Sequence, residues 1–242
     1  MSVDTSRALD EEQEEERRRS NWPFRILMIL AVLLIATSVS MFAMDAFYTP
    51  EGTYRDMAGN LVQPENPEDL TPEAIEAMDV EPMEGRFQVP AVGLDAPLKK
   101  MNMVNNVINP PGFQEVYWIR NLGVSVQEAS QGTSYFAAHS LRRGAIGPGN
   151  YLIDVEAAEG KVPIGSDMYI DSVKYVVTEV RKVEKKKIKN ESDIWQQDIP
   201  NRAIVVTCLQ RPNNGASVYN IVVIGMLADA VAPVQGEDSN GG

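Results

Sequence analysis

The run ILMILAVLLIATSVSMFAM, residues 26–44, carries no charged side chain. At a helical rise of about 1.5 Å per residue, a run of this length crosses a hydrocarbon core of about 30 Å. A cleavable leader is the rival reading. Its apolar region covers only about 7 to 15 residues and is followed by a small-residue cleavage site, whereas this run is longer and meets Asp45, Phe47 and Tyr48. The sequence therefore predicts an uncleaved transmembrane anchor over residues 26–47. Arg17, Arg18, Arg19 and Arg25 flank its N-terminal side, and Asp45, Glu51 and Asp56 flank the other. Because arginine and lysine are retained on the cytoplasmic side, residues 1–25 are expected as a cytoplasmic tail and everything after the anchor as extracytoplasmic. Residues 1–16 are too acidic and polar to fold alone.

The remainder of the 242 residues suffices for one domain of ordinary size. A formal net charge of −12 argues against nucleic acid as a partner, since phosphate binding needs clustered Lys and Arg. The one basic cluster, RKVEKKKIK at 181–189, reads as the solvated edge of a strand. Residues 48–85 are dense in Pro, Glu, Asp and Asn and are expected as an extracytoplasmic linker. Within it, residues 72–80 fit a short helix, with Thr71 as N-cap, Pro72 at the first helical position and Glu73 in the first turn.

A folded domain is expected over 86–230, followed by a disordered tail at 231–242. Its apolar runs are short, as in SYFAA, MYIDS, KYVVTEV, AIVVT and NIVVIGML, and turn residues separate most of them. No long 3.6-residue period is present. This pattern predicts an all-β barrel or sandwich with few helices. There is no internal repeat, no Gly-rich phosphate loop and no cluster of metal ligands, because one His and one Cys are too few for a zinc site without carboxylates. No cofactor or metal is expected.

Two residues could carry chemistry. Cys208, in AIVVTCLQRPNN, ends a β-branched run just before Pro212, Asn213, Asn214 and Gly215. A lone thiol there is either inert packing or a nucleophile. His139, in SYFAAHS, ends another apolar run ahead of a loop rich in Gly, Arg and Pro, and is either structural or catalytic. Both stand where a strand meets a loop, the place where rigid scaffolds present functional groups. A Cys needs a neighbouring base or cation to act as a nucleophile near neutral pH, and a His can provide it and later protonate a leaving amine.

These residues resemble the sortases, membrane-anchored cysteine transpeptidases of Gram-positive bacteria. RFQVPAVGLDAPL looks like the first strands of that domain, FAAHS like its histidine segment, and VVTC like the end of its Thr-Leu-x-Thr-Cys motif, over residues 86–227. The form TCLQR followed by NIVV looks most like the actinobacterial sortases of class F or class E. The resemblance implies a closed sortase-type β-barrel. It implies that Cys208 attacks the Thr–Gly bond of a C-terminal Leu-Pro-x-Thr-Gly-like sorting signal on a protein substrate, and that His139 protonates the departing amine. An amine of a peptidoglycan precursor or of a pilin lysine then resolves the thioacyl enzyme. Thr207 either helps to position substrate or is an ordinary strand residue.

The chain departs from the family at one point. Sortases carry an arginine on the strand after the cysteine loop, and here Asn220 stands in its place in SVYNIVVIGML. Arg211, the only Arg downstream of Cys208, is expected to replace it as a donor to the oxyanion, with a loss of roughly a hundredfold in acylation when it is removed. It also reads as a solvated loop residue, and Arg142 and Arg143 are further candidates. Outside transpeptidation, the sequence also fits an anchored, non-catalytic binding module or a peptide hydrolase that uses water as acceptor.

Overall fold

A computed structural model of the protein describes residues 22–47, 53–64 and 70–231. The acidic N-terminal residues and the C-terminal tail read above as disordered lie outside the described residues. The chain divides into two compact units, residues 1–51 and 52–242. The first contains helix α1 (Trp22–Phe47) of 26 residues, about 39 Å long at the usual rise. It has a mean hydropathy of 2.2 over Trp22–Phe42, with none of that stretch buried. An apolar surface on every side of an isolated helix suits lipid rather than water, so α1 is a candidate membrane span.

The second unit is mainly β. After the two-residue strands β1 (Tyr54–Arg55) and β2 (Leu61–Val62) come helix α2 (Pro72–Met78) and strands β3 (Glu81–Val89), β4 (Leu94–Met101), β5 (Val116–Gly123) and β6 (Thr133–Ala137). There follow a small hairpin, β7 (Ile153–Asp154) with β8 (Glu159–Gly160), then β9 (Asp167–Ile170), β10 (Val173–Glu184), helix α3 (Ser192–Trp195), β11 (Arg202–Leu209) and β12 (Tyr219–Leu227). Eight strands close into a barrel in the order β10-β12-β11-β6-β5-β4-β3-β9. Closure leaves no free sheet edge. The pairs β4–β5 and β6–β11 are parallel and the others antiparallel.

Each apolar run singled out in the sequence forms a strand: SYFAA supplies β6, MYIDS β9, KYVVTEV β10, AIVVT β11 and NIVVIGML β12. Local chemistry sets the turns. Asp171 and Ser172 both take positive φ, 48° and 68°, and Val173 pairs with Ile170, the two-residue geometry that matches strand twist. Thr71 caps α2, its Oγ1 accepting from Ala74 N at 3.2 Å, with Pro72 in the first turn. The first barrel strand starts at Glu81, ahead of Arg86. Part of the segment read as a linker also packs on the barrel, through β1, β2 and α2.

Two apolar layers result. Phe87, Leu98, Phe136, Val205 and Val223 are among the residues that fill the barrel interior. The alternate residues of the same strands, Tyr135 and Ala137 on β6, Ile204 on β11, and Val222 and Ile224 on β12, form an outer layer that α2 and the 192–195 helix help to cover. The period of two along each strand separates the layers.

Candidate active site

The outer face of three neighbouring strands leads to the site. On β6 the outward residues Tyr135 and Ala137 are followed, two further on, by His139. On β11 Ile204 and Val206 are followed by Cys208, and on β12 Ile224 and Val222 are preceded by Asn220. The registers bring these ends level. Ala137 pairs with Val206, Ala138 N donates to Val206 O at 3.2 Å, and Cys208 pairs with Asn220. His139, Cys208 and Asn220 therefore sit side by side and line one cavity of about 1290 Å³.

Hydrogen bonds fix the strand ends. Ser140 Oγ donates to Cys208 O, and Gln210 Nε2 donates to Ser140 O at 2.7 Å and to Ser140 Oγ at 3.1 Å. Asn220 is 9% exposed; its Nδ2 donates to Thr207 O at 3.1 Å and lies 4.0 Å from Cys208 Sγ. The thiol itself is half-buried. Thr207 Oγ1 is buried with no hydrogen-bond partner among the described residues, beside the Gly149 backbone. A Cβ on Gly149 would lie 1.9 Å from that hydroxyl, so the close approach requires glycine.

His139 is held from two sides. Its Nε2 lies 2.7 Å from Pro110 O. A carbonyl oxygen only accepts, so Nε2 carries hydrogen, and a proton exchanged with a reacting group belongs to Nδ1. The Phe113 ring packs on the imidazole at 4.8 Å between centroids, and Tyr54 of β1 meets Phe113 edge-on at 5.3 Å. The loop after His139 closes on itself. Gly149 N donates to His139 O at 2.8 Å, and Asn150 Oδ1 accepts from Leu141 N and Gly147 N.

Asp56, fully buried, ties this loop to β1 and β2. Its carboxylate accepts from Ile146 N at 2.9 Å and from the N–H groups of Ala58 and Asn60. Burial opposes its ionisation, but these bonds and one from the Asn60 side chain outweigh it and hold the carboxyl below its ordinary range. Pro110 and Phe113 were not singled out in the sequence, and Asp56 only as an acidic flank of the anchor. They come from turns and connections, where no periodicity marks a buried residue; the only local signal is the turn-forming run NPPGF.

The cations divide. Arg142 and Arg143 line the cavity. Arg142 Nη1 donates to Asn214 O at 3.1 Å, and Arg143 N to Asn214 Oδ1 at 3.0 Å, joining the histidine loop to the loop between β11 and β12. Arg211 is exposed and absent from the cavity lining. Its Nη1 lies over Gly215 in its own loop, 3.3 Å from where a Cβ would be. The structure brings together Cys208, His139, Thr207 and Asn220 but leaves Arg211 outside.

No protein-family model and no curated protein matches the chain. Among solved structures, sortase A of Listeria monocytogenes is 19% identical, with 61% of this chain and 88% of that chain covered and a TM-score of 0.41. A lid mutant of sortase A from Corynebacterium diphtheriae is 11% identical, with 68% and 83% covered and a TM-score of 0.44. A sortase D5 transpeptidase of Clostridium perfringens is 14% identical, with 59% and 76% covered and a TM-score of 0.40. All three are sortases.

Proposed function

We propose that the protein is a membrane-anchored cysteine transpeptidase of the sortase kind, of class F or class E, with its barrel outside the cell membrane of a Gram-positive bacterium. The observation that carries this reading is the alignment of His139, Cys208 and Asn220 at the level ends of three neighbouring strands, on the floor of a cavity large enough for a peptide. The VVTC and FAAHS motifs support it from the sequence.

In this mechanism a Leu-Pro-x-Thr-Gly-like sorting signal lies along the groove, and the Cys208 thiolate attacks the threonine carbonyl carbon. The tetrahedral intermediate collapses as the C–N bond breaks, and His139 gives the Nδ1 proton to the departing glycine amine. An amine from a peptidoglycan precursor or a pilin lysine attacks the thioester and loses its proton to His139. The acyl group leaves the sulfur as an amide, and the thiolate is restored. Asn220 orients the sulfur, a backbone N–H beside Cys208 donates to the oxyanion, and Arg142 supplies the cation from the histidine loop. Thr207 supports the end of the cysteine strand, its hydroxyl buried against Gly149.

The test uses the full-length chain in detergent micelles with a panel of sorting-signal peptides, with and without an amine acceptor. The expected result is an amide product that contains the acceptor, and none from Cys208→Ala. Cleavage without incorporation of the amine assigns a hydrolase instead. No turnover of any peptide overturns the reading in favour of a binding module.

A further inference from the structure

Thirty-four carboxylates accompany 22 Lys and Arg in this chain, so a groove of average composition would be acidic. The cavity is the reverse. Its lining holds Arg142, Arg143, Lys185 and Lys189 and, among the described residues, no Asp or Glu. Several cations elsewhere in the barrel have carboxylate partners, as in Lys99–Glu115, Lys100–Glu81 and Lys174–Asp167. Lys185 and Lys189 have none among the described residues. Of the carboxylates on this segment, Glu184 is taken by Lys187 and Asp193 by Arg181, and Glu191 makes no ion pair with Lys185 or Lys189.

The wall that carries these two lysines is built in advance. Lys185 N donates to Val218 O at 3.0 Å, and Trp195 Nε1 donates to Ile188 O at 2.6 Å. Trp195 stacks on Tyr135 at 5.7 Å. Tyr135 OH donates to Ile194 O and Gln196 O, and the Arg202 guanidinium to Asp193 O. Ile188 and Trp195 also line the cavity, so two cations without an ion-pair partner among the described residues flank an apolar patch on a braced segment. Lys185 and Lys189 are exposed, as the sequence expectation of a solvated strand edge had them, and they also line the cavity.

We infer that the groove receives an acidic peptide whose carboxylates lie against Lys185 and Lys189 and whose apolar side chains lie on Ile188 and Trp195. Only the direction of that peptide toward Cys208 rests on the transpeptidase reading. The registers set Val183 level with Cys208 across β12, two inter-strand spacings or roughly 10 Å away, and Lys185 follows Val183 by two residues, with Lys189 in the turn beyond it. At about 3.3 Å per extended residue, the carboxylates fall about three residues from the scissile bond. Unpaired cations beside a groove also draw an anionic chain toward it, and salt weakens that attraction.

The experiment measures binding, so it does not depend on turnover. Fluorescently labelled peptides with glutamates three residues from the Thr–Gly bond, on either side, and their glutamine counterparts are titrated into full-length Cys208→Ala protein in neutral detergent. At low salt one glutamate peptide should bind about tenfold tighter than its counterpart, the scale of two ion pairs at a partly exposed site. The gap should close to within about twofold in Lys185→Gln/Lys189→Gln. It should persist in Lys186→Gln, whose side chain is not part of the lining. Equal binding of glutamate and glutamine peptides overturns the inference, as does a gap that survives the double variant. Preferential binding of inorganic pyrophosphate with no response to carboxylates also overturns it. Glutamate preference without turnover by the Cys208 enzyme leaves the inference standing and the transpeptidase reading fallen; turnover without preference does the opposite.

Discussion

At residue 220 an amide stands where a guanidinium would bring a fixed positive charge. Asn220 Nδ2 lies 3.1 Å from Thr207 O and 4.0 Å from Cys208 Sγ and adds no charge there. Asn220→Asp puts a negative charge beside the thiol and should move the pH profile of Cys208 alkylation upward by about one unit, because a neighbouring anion disfavours the thiolate. Asn220→Arg should move it down. An unmoved profile in both variants would separate Asn220 from the nucleophile. For the cations, exposed Arg211 should be replaceable by Ala with less than about a twofold change in acylation. Arg142→Ala should cost roughly a hundredfold, as expected for loss of a donor worth about 2.7 to 4 kcal/mol. The placement of Cys208 and His139 at neighbouring strand ends was legible in the sequence because each ends an apolar run. Arg211 was chosen for its closeness in sequence to Cys208, but its guanidinium lies over Gly215 of its own loop and outside the cavity lining, while Asn214 ties that loop to the histidine loop. No local pattern reports that kind of non-local tie.

Among the elements, the strands were readable because β-branched runs and turn residues act locally, and α2 because its cap and first-turn proline are adjacent in sequence. The packing of β1 and β2 was not, since Asp56 finds Ile146 from 90 residues away. Asp56→Ala leaves the N–H groups of Ala58, Asn60 and Ile146 without this acceptor and should cost about 1–2 kcal/mol, lowering Tm by a few °C in a calorimetric scan. The acid side has a defined sign. The folded carboxyl titrates below the ordinary value near 3.8, so its contribution is complete above that value and is lost as pH falls below it. Asp56→Asn should flatten that part of the stability profile between about pH 4 and 2. An unchanged acid limb would show that the carboxylate holds nothing in place.

For the whole molecule, a chain begun at Arg86 lacks Asp56, Tyr54 and α2 and exposes part of the outer apolar layer. It should precipitate or bind ANS, whereas one begun at Gly52 stays soluble; equal behaviour of the two would show that the earlier residues do not support the barrel. The arginine bias around α1 gives a separate expectation: protease added to intact cells digests the barrel unit, and protection of that unit would reverse the topology.

The parallel pairing of β6 with β11 also bears on the order of events in time. No tight turn can zip these strands together, because Ser140 reaches Cys208 across 68 residues of sequence, and a loop of that size must close first. During refolding Cys208 therefore comes level with His139 only near the end. Until then it is an ordinary thiol with an ordinary appetite for alkylating reagents, and the moment its reactivity changes works as a stopwatch for completion of the barrel.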